Sequence, residues 1–190
     1  MVDGGENGQK SSIVYFGRLS PEKGLYTIIK TSKLLKTNGK VKVKIIGDGP
    51  IRGDLEEKVK VDGINNIRFL GYMKGEALYE EIKKCLAVIL PSECYENNPI
   101  SVLEAFAFGK PIIGASIGGI PELVKDNVTG LTFEPGNAHD LAEKIGYVLN
   151  NHDKLAEMGE NARFSVEQNL NAKKYYQGLT NIYQSAIEKY

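Results

Sequence analysis

The sequence predicts an α/β fold, a single parallel β-sheet with helices on both of its faces. Three observations carry that prediction. Short β-branched or aromatic runs alternate with longer helical patterns through most of the chain, and such alternation builds parallel sheets through crossover connections. Helix-start signals with proline at the first position, Ser20-Pro21 and Asn98-Pro99, follow strand-like runs. Glycine-bearing loops leave the ends of those runs, the edge where such sheets hold ligands.

In chain order, residues 1 to 10 are polar and glycine-rich and read as a linker. Residues 11 to 190 read as one domain. Ser12 to Phe16 is the first strand, and a helix is expected over 21 to 37 with Ser20 as its cap. Val41 to Ile46 is the second strand and 51 to 62 the second helix. Ile67 to Leu70, a helix at 75 to 84, and the strand Ala87 to Leu90 continue the pattern. Asn98 is expected to cap the next helix, with Pro99 first. The strand Pro111 to Gly114, a short helix near 119 to 125 and the strand Gly130 to Phe133 complete the sheet. Two helical segments follow, about 137 to 150 and 153 to 190, the second broken near Asn169. The last carries Tyr175, Leu179, Ile182, Tyr183, Ala186 and Tyr190 at helical spacing. That stripe most simply packs on its own domain; the alternative is a bridge to another one.

Composition narrows the function. A chain of 190 residues suits one well-buried domain. Acidic and basic residues balance at 24 each, so nothing draws the chain to nucleic acid or to an anionic membrane. The longest apolar run, Leu86 to Leu90, is far too short to span a bilayer, and no signal-peptide pattern opens the chain. Cys85 and Cys94 form no CxxC or zinc-ligand set, and His139 and His152 sit elsewhere. They read as two free thiols of a cytoplasmic protein.

Candidate chemistry concentrates between Glu96 and Glu104. Glu96 lies in a polar loop, whereas Glu104 lies inside the apolar helix that continues Ala105-Phe106-Ala107-Phe108. A carboxylate among Leu, Ala and Phe is costly to bury without partners, so the mouth of a cleft is its expected place. The helix start between them offers free backbone amides and a positive dipole end, suited to phosphate. An anion site flanked by two carboxylates fits a phosphorylated sugar or a nucleotide-sugar. The loop Gly17-Arg18-Leu19-Ser20-Pro21-Glu22-Lys23-Gly24 leaves the first strand on the same edge. Arg18 and Lys23 either converge on that anion, a planar fork beside a point charge, or are solvated surface cations. Gly47-Asp48-Gly49-Pro50 imitates a dinucleotide fingerprint but fails it: the third glycine is one place late and no acidic residue ends the next strand. A tight turn is the expectation there. Gly118-Gly119 marks another strand-to-helix turn that permits a ligand to approach the backbone.

Together these pieces resemble the C-terminal half of a glycosyltransferase of family 4. The resemblance rests on Gly17-Arg18-Leu19 with Glu22-Lys23-Gly24, on Gly47, Gly49 and Pro50, and on Ser92 through the paired glutamates to Gly109-Lys110-Pro111. Gly118-Gly119-Ile120-Pro121-Glu122 and Gly130-Leu131 extend it, so that it covers about residues 11 to 188. It implies one half of a GT-B architecture, a Rossmann-like domain that holds a UDP-, GDP- or ADP-sugar donor. The missing N-terminal domain would supply most of the acceptor site, and the C-terminal helices would cross to it. By the same resemblance Gly17, Arg18 and Lys23 meet the diphosphate and Glu104 the ribose. Glu96 meets the sugar, with the backbone along Asn97, Asn98, Pro99, Ile100 and Ser101 helping to hold sugar and phosphates. The base rests near Tyr72 to Leu78. Arg18, Lys23 and Glu96 are the expected catalytic residues, transfer retains anomeric configuration, and no metal or other cofactor is expected. Asn97 stands where the family usually has a small residue. Two other functions compete: a nucleotide or sugar-phosphate binding module without catalysis, and a glycoside hydrolase using Glu96 and Glu104 as acid and base.

Overall fold

The computed structural model describes residues 11–35, 41–169 and 172–188. The expected linker at 1 to 10, the last two residues of the helix expected over 21 to 37, and Tyr190 lie outside the described residues.

Six strands form one sheet: β1 Ser11–Phe16, β2 Val41–Ile46, β3 Ile67–Gly71, β4 Ala87–Leu90, β5 Ile112–Ala115 and β6 Gly130–Phe133. Every pairing is parallel, and the spatial order is β3-β2-β1-β4-β5-β6. The chain therefore winds outward from β1 through β2 to β3, returns to lie beside β1 as β4, and winds outward on the other side. The β1/β4 seam is the topological switch point, where two loops leave the sheet in opposite directions and open a crevice.

Period-two alternation sends the β1 side chains to two cores. Ile13 and Tyr15 join one face with Val43, Ile45, Ile89 and Phe133, covered by α1 Leu25–Leu34, α2 Arg52–Val61 and α6 Ala138–Asn150. Val14 and Phe16 join the other with Val88, Leu90 and Phe106, covered by α3 Glu76–Lys84, α4 Ile100–Ala107 and α5 Ile120–Leu123. Helix α7, His152–Asn169, lays Leu155 and Met158 on the first core and Ala162 on the second. The sheet is thus apolar on both sides, which leaves its carboxyl-end rim as the place for polar chemistry.

Three sequence expectations need correction. The helix expected from Pro21 is a short 3-10 turn, Pro21–Lys23, and α1 starts only at Leu25. Gly24 separates them in the left-handed region at φ 68°, and a Cβ there would overlap the Pro91 carbonyl oxygen. Helix α4 is capped by Pro99 rather than Asn98, with no side-chain cap hydrogen bond. The stripe on α8, Ala172–Ile187, is left mostly uncovered among the described residues instead of being buried on its own domain. Tyr175, Ile182 and Tyr183 are exposed, and the helix buries none of its described residues. The break expected near Asn169 falls at residues 170 and 171, outside the described residues, between α7 and α8.

Candidate functional site

Two adjoining cavities open along the carboxyl rim of the sheet, on the β1/β4 seam. The larger, about 510 Å³, lies over β1 and β2 and reaches Tyr72 and Leu78 at the start of α3. The smaller, about 420 Å³, lies between the β1 loop and the start of α4, and includes Lys23, Glu96, Asn98, Pro99, Ile100 and Ser101. Both share Phe16, Gly17, Arg18 and Glu104. The two form one elongated groove with Arg18 and Glu104 at its waist.

Glu104 sits one turn into α4, half-buried among apolar neighbours. Its carboxylate accepts no hydrogen bond among the described residues, and burial holds it above the usual carboxylate range. A half-buried carboxylate without a partner at the waist of a groove is placed to take donors from a ligand. The α4 start points the same way, because neither the Ile100 nor the Ser101 amide donates to a described residue.

Glu96 is the opposite case. Its Oε1 accepts from Lys23 Nζ at 2.5 Å and from the fully buried Ser92 Oγ at 2.7 Å. Burial pushes the Glu96 carboxyl up, but the bonds from Lys23 and Ser92 outweigh it and hold the group below the usual range. Glu96 is therefore ionised, oriented, and only 16% exposed. Lys23 reaches it from the 3-10 turn, so the positive charge expected in the groove is present but already engaged. Arg18 is exposed at the waist and makes no ion pair among the described residues.

The loops that carry these groups are tied beneath. The Tyr15 hydroxyl, 2% exposed, donates to the Arg18 carbonyl at 2.7 Å. Burial, with the nearby charges of Glu96 and Glu22 adding to it, raises its pKa far above that of a free phenol, so it stays a neutral donor. Thr27 on α1 donates to Glu93 Oε1 at 2.7 Å, and the Glu93 amide donates to the Glu22 carbonyl at 2.9 Å. These bonds join the β1 loop to the β4 loop across the seam.

The glycine turns pack closely against the protein's own backbone. A Cβ on Gly47 would overlap the Gly17 carbonyl, and one on Gly49 the Leu19 carbonyl. The Gly47-Asp48-Gly49-Pro50 segment is thus a turn packed against the phosphate-suited loop, in keeping with the tight turn expected of it. Gly118 and Gly119 press against the backbone of residues 95 to 97, and the Gly119 amide donates to the Glu96 carbonyl at 2.6 Å. The close approach expected of a ligand at this turn is made instead by the Glu96 loop. Asn97 lines neither cavity; its carbonyl faces Gly119.

All the other residues singled out from the sequence meet in the groove: Gly17, Arg18, Lys23, Tyr72, Leu78, Glu96, Asn98, Pro99, Ile100, Ser101 and Glu104. Sequence reasoning missed the roles of Tyr15, Thr27 and Glu93, which read as ordinary strand, helix and loop residues. Ser92 could have been found from its place four residues before Glu96. Asp48, in the larger cavity, was noticed only as part of a turn. Among the described residues no group of three or more His, Cys, Asp or Glu side chains is arranged to hold a metal ion. No helix among them is long and apolar enough to cross a membrane. Both cysteines are free.

Residues 2–164 match the family model described as glycosyl transferases group 1. The chain is 29% identical to the uncharacterized glycosyltransferase MJ1607 of Methanocaldococcus jannaschii, over 97% of this chain and 47% of that protein. It is 30% identical to the alpha-D-kanosaminyltransferase of Streptomyces kanamyceticus, over 79% of this chain and 39% of that one. The chain thus spans about half the length, or less, of these curated relatives. Among solved structures, Anabaena Alr3699/HepE in complex with UDP superposes with a TM-score of 0.85 at 25% identity, covering 93% of this chain and 49% of that one. The C-terminal domain of the Francisella tularensis group 1 protein LpcC superposes at 0.77, with 23% identity and coverage of 86% and 87%, a likeness of fold.

Proposed function

This chain belongs to the glycosyl transferases group 1 family and has the architecture of one half of its GT-B fold, and from that premise we propose that it is the donor-binding half of a glycosyltransferase. The observation that carries the proposal is the groove with Arg18 and Glu104 at its waist, one cavity on either side. A nucleoside diphosphate sugar has that layout. The base occupies the larger cavity by Tyr72 and Leu78, and the ribose hydroxyls donate to Glu104, which lacks any other donor. The diphosphate lies on the Gly17 and Arg18 loop, Lys23 and the α4 amides, and the sugar hydroxyls donate to Glu96. The Anabaena relative's UDP complex, and a second with UDP-glucose, support a nucleotide-sugar ligand here.

In the transfer, the bond between the anomeric carbon and the diphosphate oxygen breaks and a bond to an acceptor hydroxyl oxygen forms. The acceptor's proton is lost and negative charge grows on the departing phosphate. Arg18, Lys23 and the start of α4 line the groove where that charge grows, and donation to it there stabilises the transition state more than the ground state. We assign the chain to the family 4 type, with retention of anomeric configuration, leaving-group stabilisation by these residues rather than a metal, and a cytoplasmic site of action. The two unpaired thiols are in keeping with the last. The acceptor is held by an N-terminal domain, against which the exposed stripe of α8 packs. The 190-residue chain alone binds donor but transfers little, because acceptor positioning and water exclusion need the other half.

Calorimetric titration of the chain with UDP, GDP and ADP, then with their common sugar conjugates, tests the proposal. One nucleotide series binding, with affinity lost in Arg18→Ala, supports it. No binding in any series, or unchanged affinity in both Arg18→Ala and Lys23→Ala, refutes it.

A further inference from the structure

The groove that suits a diphosphate carries no excess of positive charge. The charged side chains lining the smaller cavity are Arg18, Lys23, Glu96 and Glu104, two cations and two carboxylates. One of the cations is already bound: Lys23 is paired with Glu96 at 2.5 Å. Glu22 adds a further carboxylate close by. It lies beside Lys23 and Arg18 and is held below the usual range, first by the Ser20 hydroxyl. A site built only to grip phosphate would not place a well-ionised, oriented carboxylate on its principal lysine.

We propose that Glu96 selects the sugar-bearing donor against the bare nucleoside diphosphate by charge, so that product is held more weakly than substrate. This rests on the donor-site reading above. The two ligands differ in one respect that a carboxylate detects. In the conjugate the terminal phosphate is esterified to the sugar, whose hydroxyls can donate to Glu96 and stand between the two anions. In the bare diphosphate that phosphate is held only by its anhydride link and loses a second proton near pH 6, as phosphate monoesters do. It gains a negative charge and loses the hydroxyls that would screen Glu96. Because Ser92 fixes Glu96 from beneath, the carboxylate cannot swing away from the phosphate without giving up a buried hydrogen bond. Once the sugar has been transferred, like-charge repulsion weakens the hold on the product left behind.

The groups facing Glu96 are Lys23 and Glu22 from the 3-10 turn, the neutral Tyr15 phenol from β1, and Ser92 and Cys94 from its own loop. Glu96 and Glu22 both titrate below the usual carboxylate range, and His139 and His152 line neither cavity. Glu104, held above the usual range at the waist of the groove, faces the ribose that both ligands share and so acts on the two alike; the group that tells them apart between about pH 7.5 and about pH 5.5 is the ligand's terminal phosphate.

The test is calorimetry on the full 190-residue chain with whichever of UDP, GDP or ADP binds it, and with a sugar conjugate of the same nucleotide. In Glu96→Gln the free diphosphate is expected to bind about tenfold tighter, the scale of one like charge removed from a partly wet site, while the conjugate binds no tighter. Wild-type protein provides a second measurement that needs no variant. Its preference for conjugate over diphosphate narrows as the pH falls from about 7.5 to about 5.5, and in Glu96→Gln that narrowing is lost. Diphosphate binding that is equal or weaker in Glu96→Gln, or a wild-type preference that does not change with pH, overturns the inference while leaving the donor-site reading intact. Absence of any nucleotide binding by the wild type overturns both.

Discussion

Replacing Lys23 with alanine separates two roles that the structure gives one side chain. Lys23 Nζ stands 2.5 Å from Glu96 Oε1, with side chains 26% and 16% exposed. Loss of a charge-assisted contact to the ligand diphosphate costs about 1.5–3 kcal/mol, which is about a 10- to 150-fold weaker nucleotide affinity. The second effect is on the unliganded protein. Without Lys23, the burial that pushes Glu96 up is opposed by Ser92 with far less help, so its carboxyl titrates higher. A pair at the wall of an open groove contributes about 1 kcal/mol to folding, nearer the exposed than the buried extreme. For a chain of this length that is a fall in Tm of about 2–4 °C. The sign of the pH dependence follows from the depressed wild-type value. The stabilisation is complete above the unfolded-chain value of about 4.3 and disappears as the pH falls below it. The difference in Tm between wild type and Lys23→Ala should be full at neutral pH and close in mild acid. Isothermal titration with nucleotide and circular-dichroism melts at several pH values read both effects. Wild-type nucleotide affinity in Lys23→Ala would refute the placement of the diphosphate. A Tm gap that widens in acid would refute the account of the ion pair.

Arg18→Ala should weaken nucleotide binding on the same scale, about 1.5–3 kcal/mol, yet leave Tm unchanged by melts, because Arg18 makes no ion pair among the described residues. Glu104→Gln should raise Tm by about 1–2 °C at neutral pH. Its wild-type carboxyl is held high by burial, so ionisation costs stability as pH rises through that value; the gain should vanish in acid. The same variant should weaken nucleotide binding about tenfold, as lost hydrogen bonds to a charged acceptor do, and calorimetry showing full affinity would remove Glu104 from the ribose. Gly119→Ala should destabilise by about 1–3 kcal/mol in urea unfolding, since its methyl would overlap the Asn97 carbonyl. It should also displace Glu96; unaltered stability would contradict the packing of the two loops.

Much of the fold is legible in the sequence because its signals are local. Ala87–Leu90 and Gly130–Phe133 are strands with the limits their residue patterns suggest, and Asn137 caps α6 with its own side chain on the His139 and Asp140 amides. The failures share one cause, a partner distant along the chain. Leu25 and its followers continue a helical pattern from Pro21, and only the Pro91 carbonyl, which leaves Gly24 no room for a side chain, shows why the helix restarts. The glycines at 118 and 119 signal close approach, but nothing in their neighbourhood tells that the approaching backbone is that of residues 95 to 97.

The site divides the same way. Arg18, Lys23, Glu96 and Glu104 stand out as residue types in loops at strand ends, and the parallel topology brings them to one rim. Their relations do not stand out. Lys23 and Glu96 are 73 residues apart, and nothing in their sequence neighbourhoods shows that the folded chain pairs them. Tyr15 alternates inward like any core strand residue, and its hydroxyl bond to the Arg18 carbonyl depends on the turn at Gly17. The α8 stripe has helical periodicity yet is mostly exposed among the described residues, a distinction that periodicity cannot make.

The most direct test of the donor site is a crystal structure of the chain with whichever of UDP, GDP or ADP binds it. The base should lie by Tyr72 and Leu78, the ribose hydroxyls on Glu104, and the diphosphate against Arg18, Lys23 and the amides of Ile100 and Ser101. Nucleotide bound away from the β1/β4 seam, or lying in the groove with Glu104 still without a donor, would contradict the account.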